Sequence, residues 1–376
     1  QRMRRGARCH EPAKRAGVSQ WLQALKLRMG TGVIFRCDAT KETGLGHLSR
    51  CLGLAEAFQD LGHESHFAGH YDGAWAAGIL AAGFPIIEWD EITGSQGDAV
   101  ALASHARALG VHDIVADDYR IDGVWLECLH GQGWMPILFD DFGRLSDYGA
   151  CSGIINFGVG DKRPPYPGLP EAQILYGPRY FPARRDLAAV RTARPGRAEQ
   201  QDVNKVLVTL GGCDRHGILW PLLRALSRVA PKAAIRAIVP PDVIRSTQAN
   251  PFQDRLVAFT PSMADHFVWA DACISGGGLT KYECAYIGLP VAILAKTSDE
   301  QMDTAVFATN NLGYDLGGFA EPDRLEEMLE VFIREADLRR ALTQNGLDHF
   351  PPDSPLNAAR SVLSWANMSL SPSIFG

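Results

Sequence analysis

The sequence predicts an α/β protein built as two halves, each a parallel sheet covered by helices, with a cleft between them. Three observations carry this. From residue 33 short β-like runs alternate with helix-like runs. The alternation breaks near residues 183–204 and then restarts. The chain, at 376 residues, is comfortable for two domains of ordinary size.

"GVIFRCD" reads as the first strand. "GHLSRCLGLAEAFQDLG" follows as an amphipathic helix, because Leu48, Cys51, Leu52, Leu54, Ala55 and Phe58 recur at helical spacing and Gly62 ends the run. "SHFAG", "FPIIEW", "DIVADDY" and "MPILFDDF" read as further strands, with helices such as "GDAVALASHARALG" between them. "ARRDLAAVRTARPGRAEQQDVN" is polar, contains Pro195 and Gly196, and reads as a linker. Beyond it come "KVLVTLGG", "AIRAIVP", "RLVAFT", "ADACISGGG" and "PVAILA" as strands and "ILWPLLRALSRVAP", "LTKYECAYIG" and "DTAVFATNNLG" as helices. The expected division is a first domain over 30–182, a linker over 183–202 and a second domain over 203–352. A last helix within 353–376 is expected to pack back on the first domain. Residues 1–29 are basic, with Glu11 as the one acid of "RMRRGARCHEPAKR", and lack the apolar core of a secretory signal. They are expected to be a disordered leader outside the fold.

Composition narrows the function classes. Hydrophobic content of 46% and charged content of 21% suit a soluble globular protein, and a net charge of -6 advertises no polyanion binding. No nucleic-acid partner and no stable membrane insertion are expected, since no apolar run approaches the ~18 residues of a span. The eight cysteines contain no C-x-x-C pair and read as buried thiols of a cytoplasmic protein.

Ligands of open α/β sheets bind beyond the carboxyl ends of strands, so the residues just after each strand matter most. After the first strand, "TKETGLGHLSR" places Gly44, Gly46 and His47 at a helix start. The helix N-terminus suits an anionic or polar sugar group. His47 either orients or deprotonates a water, or only caps the turn. "ISGGGLTKYE" is the strongest phosphate signal. A strand, three glycines ending in Gly277 and Gly278, and a helix starting near Leu279 and Thr280 form the geometry of a diphosphate cradle. Glu283, one turn on, is placed to accept both hydroxyls of a ribose. "VTLGGCD", with Gly211 and Gly212, is a second strand-then-glycine loop. Gln301 either holds a sugar hydroxyl or completes a capping box with Ser298.

Asp117, Asp118, Asp140 and Asp141 end two strands, and adjacent residues face opposite sides. Solvation, capping or hydrogen bonding is expected of them before a shared metal. His63, His66 and His70 lack the pattern of a zinc site.

Taken together the motifs resemble the UDP-sugar hydrolases of pseudaminic acid biosynthesis and the related spore-coat polysaccharide proteins. The resemblance runs from about Gly32 to Gly317. It rests on "FRCDATKETGLGHLSRCLGLA", "DDY", "IINFG", "LYGPRYFPARRDL", "VTLGGCD", "SGGGLTKYECAYIGLP" and "EQMDTA". It implies the GT-B fold, two Rossmann-like domains flanking a cleft. It also implies metal-independent cleavage of a UDP-linked diacetamido-trideoxy sugar with inversion. No cofactor is expected, and the protein is expected to be a monomer. His47 of "GHxxR" is then the group that activates water, and Asp38 and Arg36 of "R-x-D" position the sugar or His47. Gly46, Asn156, Tyr166, Tyr180 and Gln301 become sugar-side residues. Gly211, Gly212, Gly277, Gly278, Leu279, Thr280 and Glu283 become nucleotide-side residues. The same fold serves glycosyltransferases, which pass the sugar to an acceptor hydroxyl, and that activity is the alternative expectation.

Overall fold

The computed structural model describes residues 32–41, 43–194, 202–211, 217–246, 251–318 and 322–369. Residues 1–29 and Gly212 therefore lie outside the described residues.

In the first half the strands are β1 (Gly32–Cys37), β2 (Glu64–Ala68), β3 (Ile86–Ile87), β4 (Asp113–Asp117), β5 (Ile137–Phe139), β6 (Gly153–Asn156) and β7 (Ile174–Tyr176). They form one sheet in the order β3-β2-β1-β4-β5-β6-β7, and every pairing is parallel. Its helices are α1 (Gly46–Asp60), α2 (Gly73–Ala81), α3 (Gln96–Leu109) and α4 (Gly123–Gly131). The second half carries β8 (Lys205–Thr209), β9 (Ala234–Val239), β10 (Leu256–Ala258), β11 (Ala272–Ser275), β12 (Val291–Ala295) and β13 (Tyr314–Gly318), in the all-parallel order β10-β9-β8-β11-β12-β13. β1, β11 and β12 are buried on both faces, which is why they read as largely apolar runs rather than alternating ones, with Arg36 and Ser275 as buried polar exceptions.

The expected linker contains a helix. α5 (Arg185–Ala193) buries Leu187 and Val190. Its arginines bond carbonyl oxygens at the ends of other helices. Arg191 donates to the carbonyls of Leu347 and Phe350 at 3.0 and 2.8 Å, and Arg194 to those of Phe267 and Ala270 at 2.6 and 2.9 Å. The polarity that suggests a linker is thus that of a helix whose cations satisfy orphan carbonyls.

The remaining helices are α6 (Leu219–Val229), α7 (Pro241–Ser246), α8 (Ala264–Trp269), α9 (Thr280–Ile287), α10 (Ser298–Thr309), α11 (Pro322–Arg334), α12 (Ala336–His349) and α13 (Ser354–Ser369). α13 returns to the first half and packs on α1. Trp365 lies so close to β6 that a Cβ at Gly153 would sit 2.2 Å from its ring, and its indole donates to the carbonyl of Ala172 at 2.9 Å. Only glycine permits that approach.

The halves share a core. Phe157 and Phe181 from the first half meet Tyr282, Tyr286 and Phe350 from the second, with centroids 5.1 Å apart for Phe157–Tyr282 and 5.6 Å for Phe181–Phe350. Among the described residues no helix is long and apolar enough to cross a membrane.

Candidate functional site

The cleft runs between the carboxyl ends of the two sheets. It holds two adjoining cavities of about 280 Å³ and about 380 Å³. Gly46 at the start of α1, and Gly278 and Leu279 at the start of α9, line both. Neither helix has a side-chain cap, so two sets of N–H groups without intrahelical acceptors meet at the junction. Gly46 is close enough to Leu279 that an added Cβ would lie 3.8 Å from its Cβ.

In the larger cavity the chemistry centres on His47. His47 and Arg50 are three residues apart on α1 and so share a face. Both turn to Asp117 at the end of β4. His47 Nδ1 lies 2.7 Å from Asp117 Oδ1. Arg50 donates to Asp117 Oδ2 from Nε and to Oδ1 from a terminal nitrogen, both at 2.6 Å. The other terminal nitrogen of Arg50 donates to Asp141 at 2.8 and 2.9 Å, and the guanidinium lies over Phe139 and Phe157. Burial opposes ionisation of Asp117, but the Arg50 guanidinium and then His47 hold its carboxyl well below the usual carboxylate range. An ionised Asp117 can only accept, so it fixes the proton of neutral His47 on Nδ1 and leaves Nε2 with the lone pair. Tyr119 packs edge-on to the imidazole at 4.7 Å and donates to Asp141 at 2.8 Å. His47 is 8% exposed, enough to line the cavity.

The smaller cavity is lined by Thr209, Gly211, Gly276, Thr280, Glu283 and Lys296, among others. Burial pushes the Glu283 carboxyl up to about 7, against the opposing pull of Arg184 and a hydrogen bond from the Ser49 hydroxyl at 3.2 Å across the cleft. Lys296 donates to the carbonyl of Leu210 at 2.9 Å and leans on Gly276, where a Cβ would come within 3.2 Å of its Cε. Gly277 has no room for any side chain, since its Cβ would lie 2.6 Å from that of Glu300.

Gly46, His47, Gly211, Gly277, Gly278, Leu279, Thr280 and Glu283 thus come together in the cleft. Five other expected residues are placed differently. Arg36 is fully buried and lines neither cavity. Its nitrogens bond Asp98 at 2.7 Å, Asp38 at 2.7 Å and Thr93 at 2.8 Å. Strand alternation sends Arg36 to the sheet face opposite α1. Asp38 goes the same way. It is 1% exposed, bonds Arg36, Thr93, Arg120 and the His70 amide, and does not contact His47. The carboxylate that holds His47 is Asp117, which lies 70 residues away in sequence.

Tyr166 is buried, accepting from Asn156 and donating to the Asp140 carbonyl, both at 2.7 Å. Tyr180 packs at the core edge beneath Arg179, outside both cavities. Gln301 also lines neither, its side chain lying against Gly318. The cap of α10 is Thr297, which accepts from the Glu300 amide at 3.2 Å, so the expected Ser298–Gln301 box does not form. Asn156 does line the larger cavity. Its amide is committed to Tyr166 and the Asp141 carbonyl and its oxygen to the Gly158 amide, so it shapes the wall.

The four aspartates bear out the expectation of hydrogen bonding. Asp117 and Asp141 grip Arg50, while Asp118 and Asp140 bond locally to the Arg120 and Phe142 amides. Among the described residues no group of three or more His, Cys, Asp or Glu could hold a metal. Sequence reasoning gave no role to Arg50, the arginine of "GHxxR", or to Lys281 and Lys296, and gave Asp117 and Asp141 hydrogen bonding without naming a partner. The three-residue spacing of His47 and Arg50 was the available signal for the first.

No family model matches the chain. It is 27% identical over 202 residues to the spore coat polysaccharide biosynthesis protein SpsG of Bacillus subtilis, covering 51% of this chain and 59% of SpsG. The chain thus spans little more than half the length of that relative. In structure it is similar to MurG of Acinetobacter baumannii, with a TM-score of 0.60, 14% identity, and coverage of 89% of this chain and 99% of MurG. It is also similar to the glycosyltransferase VinC in complex with dTDP, with a TM-score of 0.58, 16% identity, and coverage of 90% and 100%.

The fold is GT-B.

Within that GT-B frame the two parallel sheets face one another across the cleft, and the uncapped starts of α1 and α9 lie at its centre.

Proposed function

We propose that the chain is a glycosyltransferase that takes its sugar from a nucleoside diphosphate sugar for polysaccharide synthesis. The observation that carries the reading is the His47–Asp117 pair at 2.7 Å, opening onto a cavity that adjoins the glycine loop before α9. In this reading the nucleotide occupies the smaller cavity, with Glu283 on the ribose hydroxyls. Its diphosphate lies against the N–H groups of Gly278, Leu279 and Thr280, with the Lys296 ammonium nearby. The sugar reaches into the larger cavity beside His47.

The step is one displacement at the anomeric carbon. An acceptor hydroxyl forms the new C–O bond while its proton passes to His47 Nε2. The bond to the leaving phosphate oxygen breaks with its electron pair on the diphosphate, and configuration inverts. Asp117 stabilises the imidazolium that results. The relative named for spore coat polysaccharide biosynthesis and the neighbour bound to dTDP support this reading.

Hydrolysis is the second reading, with water in place of the acceptor. The near-closure of His47, at 8% exposure, favours it, because a water reaches such a group more easily than a saccharide does. UDP with a diacetamido-trideoxy sugar is the narrower substrate of that reading.

Purified protein incubated with UDP- and dTDP-sugars, with and without saccharide acceptors, separates the two. Nucleotide release that requires an acceptor and is lost in His47→Ala supports transfer. Equal release without any acceptor supports hydrolysis. Release untouched by His47→Ala would remove both mechanisms.

A further inference from the structure

Lys281 is a lysine the mechanism above does not use. It occupies the first turn of α9, and its side chain is 1% exposed. Its ammonium donates to the carbonyl of Gly277 and, at 3.3 Å, to that of Gly278. It pairs with Asp303 of α10 at 2.7 Å and lies 4.7 Å from the centroid of the Tyr282 ring, whose hydroxyl also bonds Asp303. A buried ammonium costs free energy unless it is paired and hydrogen-bonded, and here every partner is provided. Two of those partners are the peptide carbonyls of the glycine loop.

A planar trans peptide points its carbonyl and the following N–H in opposite directions. Holding the oxygens of Gly277 and Gly278 on Lys281 therefore turns the N–H groups of Gly278 and Leu279 away from it. Gly278 and Leu279 line both cavities. Glycine peptides rotate freely, so a loop of three glycines would otherwise sample many orientations of these donors. Asp303 largely neutralises the ammonium, so the effect on a ligand is orientation rather than bare charge.

We propose that Lys281, anchored by Asp303, is a positioning residue that locks the Gly277–Gly278 peptides with their N–H donors aimed at the diphosphate. The inference rests on the nucleotide-sugar reading and deepens it. It predicts discrimination between ligands on the same folded protein, which a stability defect would not produce.

The test is calorimetric. UDP, dTDP, GDP and ADP are titrated into the full chain, and the tightest is compared with its nucleoside for wild type, Lys281→Met and Asp303→Asn. Lys281→Met is expected to weaken the diphosphate by about tenfold or more, the scale of losing well-aligned hydrogen bonds to a charged group. The nucleoside should change less than twofold. Asp303→Asn should move the same way by a smaller factor, and it stands in if Lys281→Met does not fold. Unchanged discrimination in both variants, or equal weakening of nucleoside and diphosphate, overturns the inference while leaving the nucleotide reading intact. Failure of wild type to bind any of the four removes the nucleotide reading itself, and this inference with it.

Discussion

Replacing Asp117 with Asn probes the centre of the site with little change of shape. Asp117 is 1% exposed and accepts from His47 Nδ1, twice from Arg50 and, at 3.7 Å, from the Cys51 thiol. Asparagine keeps one acceptor oxygen and adds two donors. It cannot satisfy both Arg50 and the Nδ1 proton, and its NH2 favours the wrong tautomer of His47. Removing one partner of a buried ion pair costs about 3–5 kcal/mol. Arg50 keeps Asp141, so the low end, about 3 kcal/mol, is expected. Misplacing a general base costs about 10²–10⁴-fold in rate.

The pH dependence has a definite sign. The folded pKa of Asp117 is depressed, so its contribution is present above the unfolded value near ~3.9 and is lost as pH falls below it. The stability gap between wild type and Asp117→Asn should therefore be full at pH 7 and narrow below about pH 4. Urea denaturation at several pH values measures the gap, and nucleotide release measures the rate. A folded Asp117→Asn protein with wild-type turnover would refute the assignment of His47 and Asp117 as a working pair.

Glu283→Gln tests the ribose contact. Glu283 titrates near 7 in the free protein, so nucleotide affinity of wild type should rise between pH 6 and 8 as its carboxylate forms, and the variant should bind weakly with no such rise. Because the folded pKa lies above the unfolded one, wild-type stability should fall relative to the variant as pH climbs from about 4.3 to about 7, read from urea midpoints. Arg36→Met should destabilise the fold by about 3 kcal/mol, because it removes the cation paired with buried Asp98 while the Trp89, Trp125 and Gly94 N–H groups still donate to it, yet the folded fraction should bind nucleotide like wild type, because Arg36 lies outside the cleft. Gly277→Ala should abolish diphosphate binding in calorimetry, since its Cβ would meet that of Glu300 at 2.6 Å and force the loop to move.

Much of this architecture is legible in the chain alone. Alternating strand and helix runs imply two parallel sheets, because hydrophobic period and turn residues are local properties. "GLGH" and "SGGGLTKYE" mark loop-to-helix turns at strand ends for the same reason, and the glycines, Leu279, Thr280, Glu283 and His47 do gather in one cleft.

What the tertiary structure decided are the partners. Asp117 meets His47 across 70 residues, and Ser49 meets Glu283 across 234. No local pattern encodes a pairing between strands and helices so far apart. The parity of β1 sends Arg36 and Asp38 beneath the sheet, away from the cleft in which they were expected to position the sugar or His47. The polar run after residue 183 is held as a helix by burial of Leu187 and Val190 and by bonds from Arg191, and from Arg194 at its C-cap, to carbonyl groups of the second half. Residue type and spacing determine which elements form and where their ends lie. Which charge faces which depends on sheet order and on the closing of one half against the other, and those are settled only when the two cores pack together.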